Sequence, residues 1–202
     1  MYMNWNDISL KQYLDITDVY EDTTLDDADK LVKLCWIVYD IDILQVPITE
    51  YHKYVEGLNF IGKKIPKSPL VDEYTVNGHT YVMTDDVSKM NVAQYMDIDL
   101  IIKKDTSISN YPELLSAFMI PKGHKYGEGY QREKIIGDME DLPITHVVAI
   151  AAFFLRCWKR YIRLSLIFLY LRMRKLPKAE RKKIRQEMKT MEKITLSLCS
   201  RL

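Results

Sequence analysis

Apolar residues recur at helical spacing through most of the chain. Ile8, Leu10, Tyr13 and Leu14 mark a short amphipathic helix over 8–16, with Asn6 or Asp7 as its cap. An acidic loop over 20–27 follows, in which Thr24 or Asp26 can cap the next helix. Leu31, Leu34, Cys35 and Val38 place that helix over 28–39. Residues 40–46 are expected to hold a helical turn. Pro47 then opens a helix through Tyr51, Tyr54, Val55 and Leu58 that ends near Gly62, because a missing N–H costs nothing in a first turn.

Residues 63–70 contain Pro66 and Pro69 and read as a connector. The period then changes to two. Tyr74-Thr75-Val76 and Thr80-Tyr81-Val82 flank Asn77-Gly78, a hairpin signal because both turn residues tolerate positive φ. A lone hairpin is marginally stable, so it must pack on helices or pair with another chain. Beyond it the pattern predicts helices over 88–100 and 112–119, a surface loop over 121–130 and a short helix over 131–140. A long helix runs from Pro143 to about 175, where Pro177 interrupts it. The last helix, 178–200, carries sparse apolar positions at Ile184, Met188, Met191, Leu196 and Leu198.

The same pattern occurs twice. Residues 8–16 read Ile-Ser-Leu-Lys-Gln-Tyr-Leu-Asp-Ile and residues 90–98 read Met-Asn-Val-Ala-Gln-Tyr-Met-Asp-Ile. Residues 29–38 align with 112–121, and Val46-Pro47-Ile48-Thr49 is echoed by Leu142-Pro143-Ile144-Thr145. The expected fold is therefore mainly α. A first helical repeat unit spans 8–62 and a connector with the hairpin spans 63–87. A second unit with the long helix spans 88–176, and a basic C-terminal helix spans 177–202.

Composition sharpens this picture. Gly and Pro number seven each, too few for a β-rich or disordered chain. The net charge of +1 conceals a gradient: residues 1–60 carry 12 acidic against 4 basic side chains, whereas 156–202 carry 15 basic against 3 acidic. A basic end can contact nucleic acid, or it can pair with a neighbour's acidic end and favour head-to-tail association. The candidate basic surface comprises Arg156, Lys159, Arg160, Arg163, Arg172, Arg174, Lys175, Arg181, Lys182, Lys183 and Arg185. It lacks the interleaved aromatics of single-strand binders, which leaves sequence-independent phosphate contact as its DNA option. The first four share one helix face and interrupt two apolar runs, 147–155 and 164–171. Neither run reaches the ~18–20 residues a membrane span needs, so protein contact rather than membrane is expected. Three scattered cysteines, Cys35, Cys157 and Cys199, and a polar N-terminus fit a reducing cytoplasm with no leader.

No catalytic constellation is present in the pattern. His52, His79, His124 and His146 are scattered, without partners at metal-ligand spacing. Gly123-His124-Lys125-Tyr126-Gly127-Glu128-Gly129 lacks the Gly-Lys-Ser/Thr ending of a phosphate loop. The paired acids at 26–29 and 85–86 read as helix caps. No enzyme activity, cofactor, metal or small-molecule substrate is expected. Candidate partner contacts are Asn77, Gly78 and His79 in the hairpin, and Gly123, His124, Tyr126 and Gly129 in the loop.

The Asn-Gly hairpin, the following Thr-Asp-Asp-Val-Ser-Lys-Met-Asn-Val-Ala-Gln-Tyr-Met-Asp-Ile, the Ala-Phe-Met-Ile-Pro-Lys-Gly-His-Lys-Tyr segment and the later Leu-Pro-Ile-Thr and Phe-Phe-Leu come in a characteristic order. In this the chain resembles small proteins encoded among the virion and tail genes of tailed phages, notably the crAss-like gut phages, over most of 8–170. The resemblance implies a virion protein assembled in the bacterial host cytoplasm, with copies of itself and other phage structural proteins as partners. It implies either a ring subunit of the head–tail neck or tail, or a tail assembly chaperone that escorts the tape-measure protein and is absent from the mature particle. It supplies no catalytic residues. A third option is a DNA-contacting accessory protein acting through the basic C-terminal end.

Overall fold

The computed structural model describes residues 3–84, 89–104, 107–154, 156, 157, 182, 185, 186 and 188–190. Its helices start where side chains can take up the free N–H groups of a first turn. Ser9, not Asn6 or Asp7, caps α1 (Leu10–Glu21). Its hydroxyl accepts from the Gln12 N–H at 3.2 Å, and the Gln12 side chain accepts from the Ser9 N–H at 3.1 Å. Asn4 instead caps a 3-10 turn over Trp5–Asp7. Helix α1 runs past 16 because Ile16 and Val19 continue the buried stripe. Asp26 caps α2 (Asp27–Tyr39), accepting from the Asp29 N–H at 2.8 Å, and Asp40 ends it in the left-handed region at φ 55.

The turn expected over 40–46 is a 3-10 turn at Ile43–Gln45. Pro47 stands one residue before α3 (Ile48–Gly57), and its carbonyl accepts from the Glu50 and Tyr51 N–H groups at 2.8 and 3.2 Å. This helix stops at Gly57, and Leu58–Phe60 tighten into a 3-10 turn before Gly62 is reached.

The hairpin forms as the dipeptide requires. Strands β1 (Glu73–Val76) and β2 (His79–Met83) pair antiparallel, with Val76 opposite His79 and Tyr74 opposite Tyr81. Asn77 and Gly78 both have positive φ, 51 and 77, which matches the right-handed twist of the strands. A third strand was not expected. Helix α5 (Tyr111–Phe118) passes directly into β3 (Met119–Pro121), which pairs antiparallel with β2 and puts Ile120 opposite Val82. The sheet order is β1-β2-β3. Pro121 lies on an edge strand, where its missing donor removes no ladder bond. The alignment of 29–38 with 112–121 therefore joins ten helical residues to a helix that ends in a strand.

Helix α4 (Val92–Lys104) precedes α5, and α6 (Arg132–Glu140) follows the 122–130 loop. A last helix, α7, occupies 144–154, and residues 156 and 157 are helical too. The remainder of the long helix to 175, and most of the 178–200 helix, lie outside the described residues. The described chain is thus mainly helical with one small antiparallel sheet. Among the described residues no helix is long and apolar enough to cross a membrane.

One core joins these pieces. Helix α5 packs on α4 and α6, and α1 packs on α2 and α6. Ile98, Met119, Ile135, Met139, Leu142, Ile144, Val147 and Ile150 are almost wholly excluded from solvent, and each such side chain contributes about 1.5–3 kcal/mol of transfer free energy. The start of the chain is joined to the start of α7 by a short antiparallel bridge. The Leu10 N–H donates to the Leu142 carbonyl at 2.9 Å, the Ile144 N–H donates to the Ile8 carbonyl at 2.8 Å, and Ser9 stands opposite Pro143. Residues 63 and 68 are held down as well. The Trp5 indole N–H donates to the Lys63 carbonyl at 2.9 Å, and the Ser68 hydroxyl lies 3.2 Å from His146 Nδ1.

Candidate functional site

The two Gln-Tyr segments share two polar contacts, a capped first turn and a glutamine tie. Asn91 accepts from the Gln94 N–H at 2.8 Å, as Ser9 does from Gln12. Gln94 Nε2 then donates to the Ala117 carbonyl in the last turn of α5 at 2.7 Å and to the Thr84 hydroxyl at 3.2 Å. Gln12 Nε2 donates to the Ile37 carbonyl in the last turn of α2 at 2.8 Å. Each glutamine thus ties the first turn of one helix to the end of the next. Pro143 repeats the role of Pro47, its carbonyl accepting from the His146 and Val147 N–H groups at 2.9 and 3.1 Å.

The hairpin residues are drawn together around one carboxylate. Asp138, on the inner face of α6, accepts from the Tyr81 hydroxyl and from Asn77 Nδ2 at 3.0 Å, and lies 2.9 Å from His79 Nδ1. Asn77 also donates to Asp141 at 2.8 Å. Burial pushes the Asp138 carboxyl upward, but hydrogen bonds from Tyr81 and Asn77 and the neighbouring His79 outweigh it and hold the group below its ordinary value. Burial and the bond to Asp138 push the Tyr81 phenol well up. The sequence assigned Asn77 and His79 to a partner. Asn77, exposed at the turn, is tied to α6, and His79 leans on the same carboxylate with part of its ring at the surface. Gly78 remains at the turn tip.

The glycine-rich loop is likewise anchored. Tyr126 donates to Asp97 of α4, which also receives Arg132 Nη1 at 3.3 Å, and Arg132 Nε donates to the Ser116 hydroxyl at 3.2 Å. Burial, then the bond to Asp97, pushes the Tyr126 phenol up. Tyr126 is therefore engaged within the chain, whereas Gly123, His124 and Gly129 stay exposed. His124 Nδ1 lies 3.3 Å from the Glu128 carbonyl and crowds Gly129, where a Cβ would come within 3.1 Å of it. Of the candidate basic surface, Arg156, Lys182 and Arg185 are helical and exposed. Lys159, Arg160, Arg163, Arg172, Arg174, Lys175, Arg181 and Lys183 lie outside the described residues. Among the described residues no cluster of His, Cys, Asp or Glu is arranged to hold a metal ion.

Two apolar surfaces emerge that the sequence reading did not single out. Helix α4 buries Ile98, Ile101 and Ile102, yet Val92, Met96 and Leu100 on its other side are 75%, 56% and 61% exposed. Between α1 and α2 lies a groove of about 590 Å³ lined by Val19, Val32, Trp36, Ile37 and Leu44, with Asp15, Asp18, Asp42 and Lys33 around it. Trp36 and Leu44 are exposed, as is Ile48 just beyond. The i, i+4, i+8 spacing of Val92, Met96 and Leu100 was visible in the sequence, but the inner stripe of the same helix concealed which side faces out. Comparison with family models, with curated proteins and with solved structures finds no match to this chain.

Proposed function

We propose that this chain is a non-enzymatic assembly subunit that works in several copies, and more narrowly a ring or connector subunit of the neck or tail of a tailed phage particle. We read 8–62 and 88–176 as two copies of one helical unit joined by 63–87. The matched caps, the two glutamine ties and the two proline-started helices support that reading. The observation that carries the assembly role is the pair of uncovered apolar surfaces, the α4 stripe and the α1–α2 groove. Contiguous exposed apolar surface marks a site that another protein covers. Of the hairpin and loop residues, Asn77 is tied to α6 and Tyr126 to α4, whereas Gly78, Gly123, His124 and Gly129 remain available to a partner. The phage context rests on the resemblance.

A tail assembly chaperone is the second reading, favoured by the groove, which has room for an apolar segment of a client. Mass spectrometry of purified particles separates the two. A structural subunit is present at fixed stoichiometry in mature particles. A chaperone is absent from them, and its loss blocks tail formation. A DNA-contacting role would show instead as heparin retention that collapses with salt and with Gln replacement of the basic end.

A further inference from the structure

The two matched motifs differ in whether their ends are covered. Leu10 and Ile144 form the internal bridge and are 0% exposed; their counterparts Val92 and Ile48 are 75% and 78% exposed. The local backbone is built alike in both places. Asn91 caps α4 as Ser9 caps α1, and the Pro47 carbonyl accepts two N–H groups as the Pro143 carbonyl does. Yet among the described residues 90–92 and 46–48 are not bridged to each other; the bridge at Ser9 and Pro143 has no counterpart there.

What lies beside each uncovered end is complementary. Val92, Met96 and Leu100 form a stripe about 12 Å long at the helical rise of ~1.5 Å per residue. Lys103 and Lys104 stand at its far end, where they pair within the chain with Asp99 at 2.6 Å and Glu113 at 3.6 Å. Near Ile48, the groove offers Leu44, Trp36 and Val32 inside an edge that carries Asp15, Asp18, Asp42 and Lys33. An exposed apolar ridge and an apolar groove thus stand beside the two uncovered ends, on different surfaces of the same chain.

We propose that the α4 stripe of one copy seats in the α1–α2 groove of a second copy, with residues 90–92 laid against 46–48 as 8–10 are laid against 142–144. This rests on the assembly reading above and gives it a contact. In that register the Val92 N–H meets the Val46 carbonyl and the Ile48 N–H meets the Met90 carbonyl. Because stripe and groove are different surfaces, the contact is heterologous: each copy gives a stripe to one neighbour and a groove to the other, and the series closes into a ring or continues as a filament.

Two double variants test it by sedimentation velocity. M96E/L100E blocks the stripe and W36A/L44D blocks the groove. All four side chains are exposed, so both variants should melt like the parent protein. Each alone is expected to associate at least about tenfold more weakly, since burying even one large apolar side chain is worth that much. An equimolar mixture retains one intact stripe and one intact groove, and should give a one-to-one dimer and nothing larger. If the parent protein assembles and the variants assemble equally well, this contact is wrong while the assembly reading stands. If both variants fall apart but their mixture gives no dimer, stripe and groove do not meet each other and the proposal is overturned. A parent protein that stays monomeric overturns the assembly reading and this contact with it.

Discussion

Replacing Gln94 with alanine should be among the most damaging polar substitutions in the chain. The side chain is 2% exposed and donates to the Ala117 carbonyl at 2.7 Å and to the Thr84 hydroxyl at 3.2 Å. Ala117 is itself fully buried, so water cannot replace the lost donor. A buried acceptor left unmet costs about 1–3 kcal/mol, and the space left by the deleted side chain adds roughly another 1 kcal/mol. The expected loss is about 2–4 kcal/mol. Gln94→Met keeps most of the volume and removes only the donor, so about 1–3 kcal/mol of the loss should remain. Gln12→Ala is the matched control. Gln12 makes the equivalent tie to Ile37, but it is half-buried and solvent can reach the vacated groups, so about 1–2 kcal/mol is expected, capping included. Urea unfolding followed by far-ultraviolet circular dichroism measures all three, at a protein concentration low enough to keep association constant. A Gln94→Ala loss below about 0.5 kcal/mol, or a Gln12→Ala loss larger than that of Gln94→Ala, would refute the reasoning.

Three further outcomes are expected. Asp138→Ala strips partners from the buried Tyr81 hydroxyl and from Asn77, and should cost about 2–4 kcal/mol and speed amide hydrogen exchange in β1 and β2; unchanged exchange there would show that the carboxylate does not hold the hairpin. Gly78→Ala meets no neighbouring atom, so its cost is the left-handed backbone alone, about 1–2 kcal/mol by thermal or urea unfolding. Stability should decline in two stages on acidification. Burial lowers the His146 value in the folded state, so its contribution is full above the unfolded-state value of ~6.5 and is lost as pH falls through the folded value. Asp138, also lowered by folding, adds a second loss below about pH 4. His146→Gln should abolish the first stage and leave the second, as read from unfolding free energy between pH 7 and pH 3.

The presence of the described helices and of the hairpin was legible because each is written in local signals, but helix bounds were not: α4 runs Val92–Lys104 rather than 88–100. A 3.6-residue stripe marks α2, and two consecutive residues that accept positive φ mark the turn at 77–78. Strand β3 was not legible. Met119-Ile120-Pro121 is too short to show alternation, and it follows α5 without a break, so only its partner β2 makes it a strand. The cap of α1 was misplaced because Asn4, Asn6, Asp7 and Ser9 are all competent caps; the bridge to α7 selects Ser9. The carboxylate that organises the hairpin was hidden for a related reason. Asp138 sits in the polar sequence Arg-Glu-Lys-Ile-Ile-Gly-Asp-Met-Glu, where one acid looks like any other until the fold turns it toward Tyr81. The basic end was legible as composition, and its placement lies mostly outside the described residues.

Native mass spectrometry of the 202-residue chain over a range of concentrations tests the central claim most directly. Closed assemblies at one integer multiple of the 23.9 kDa chain, or a ladder that adds one copy at a time, are predicted. A chain that remains monomeric at every soluble concentration, or that stops at a two-fold symmetric dimer, would contradict it.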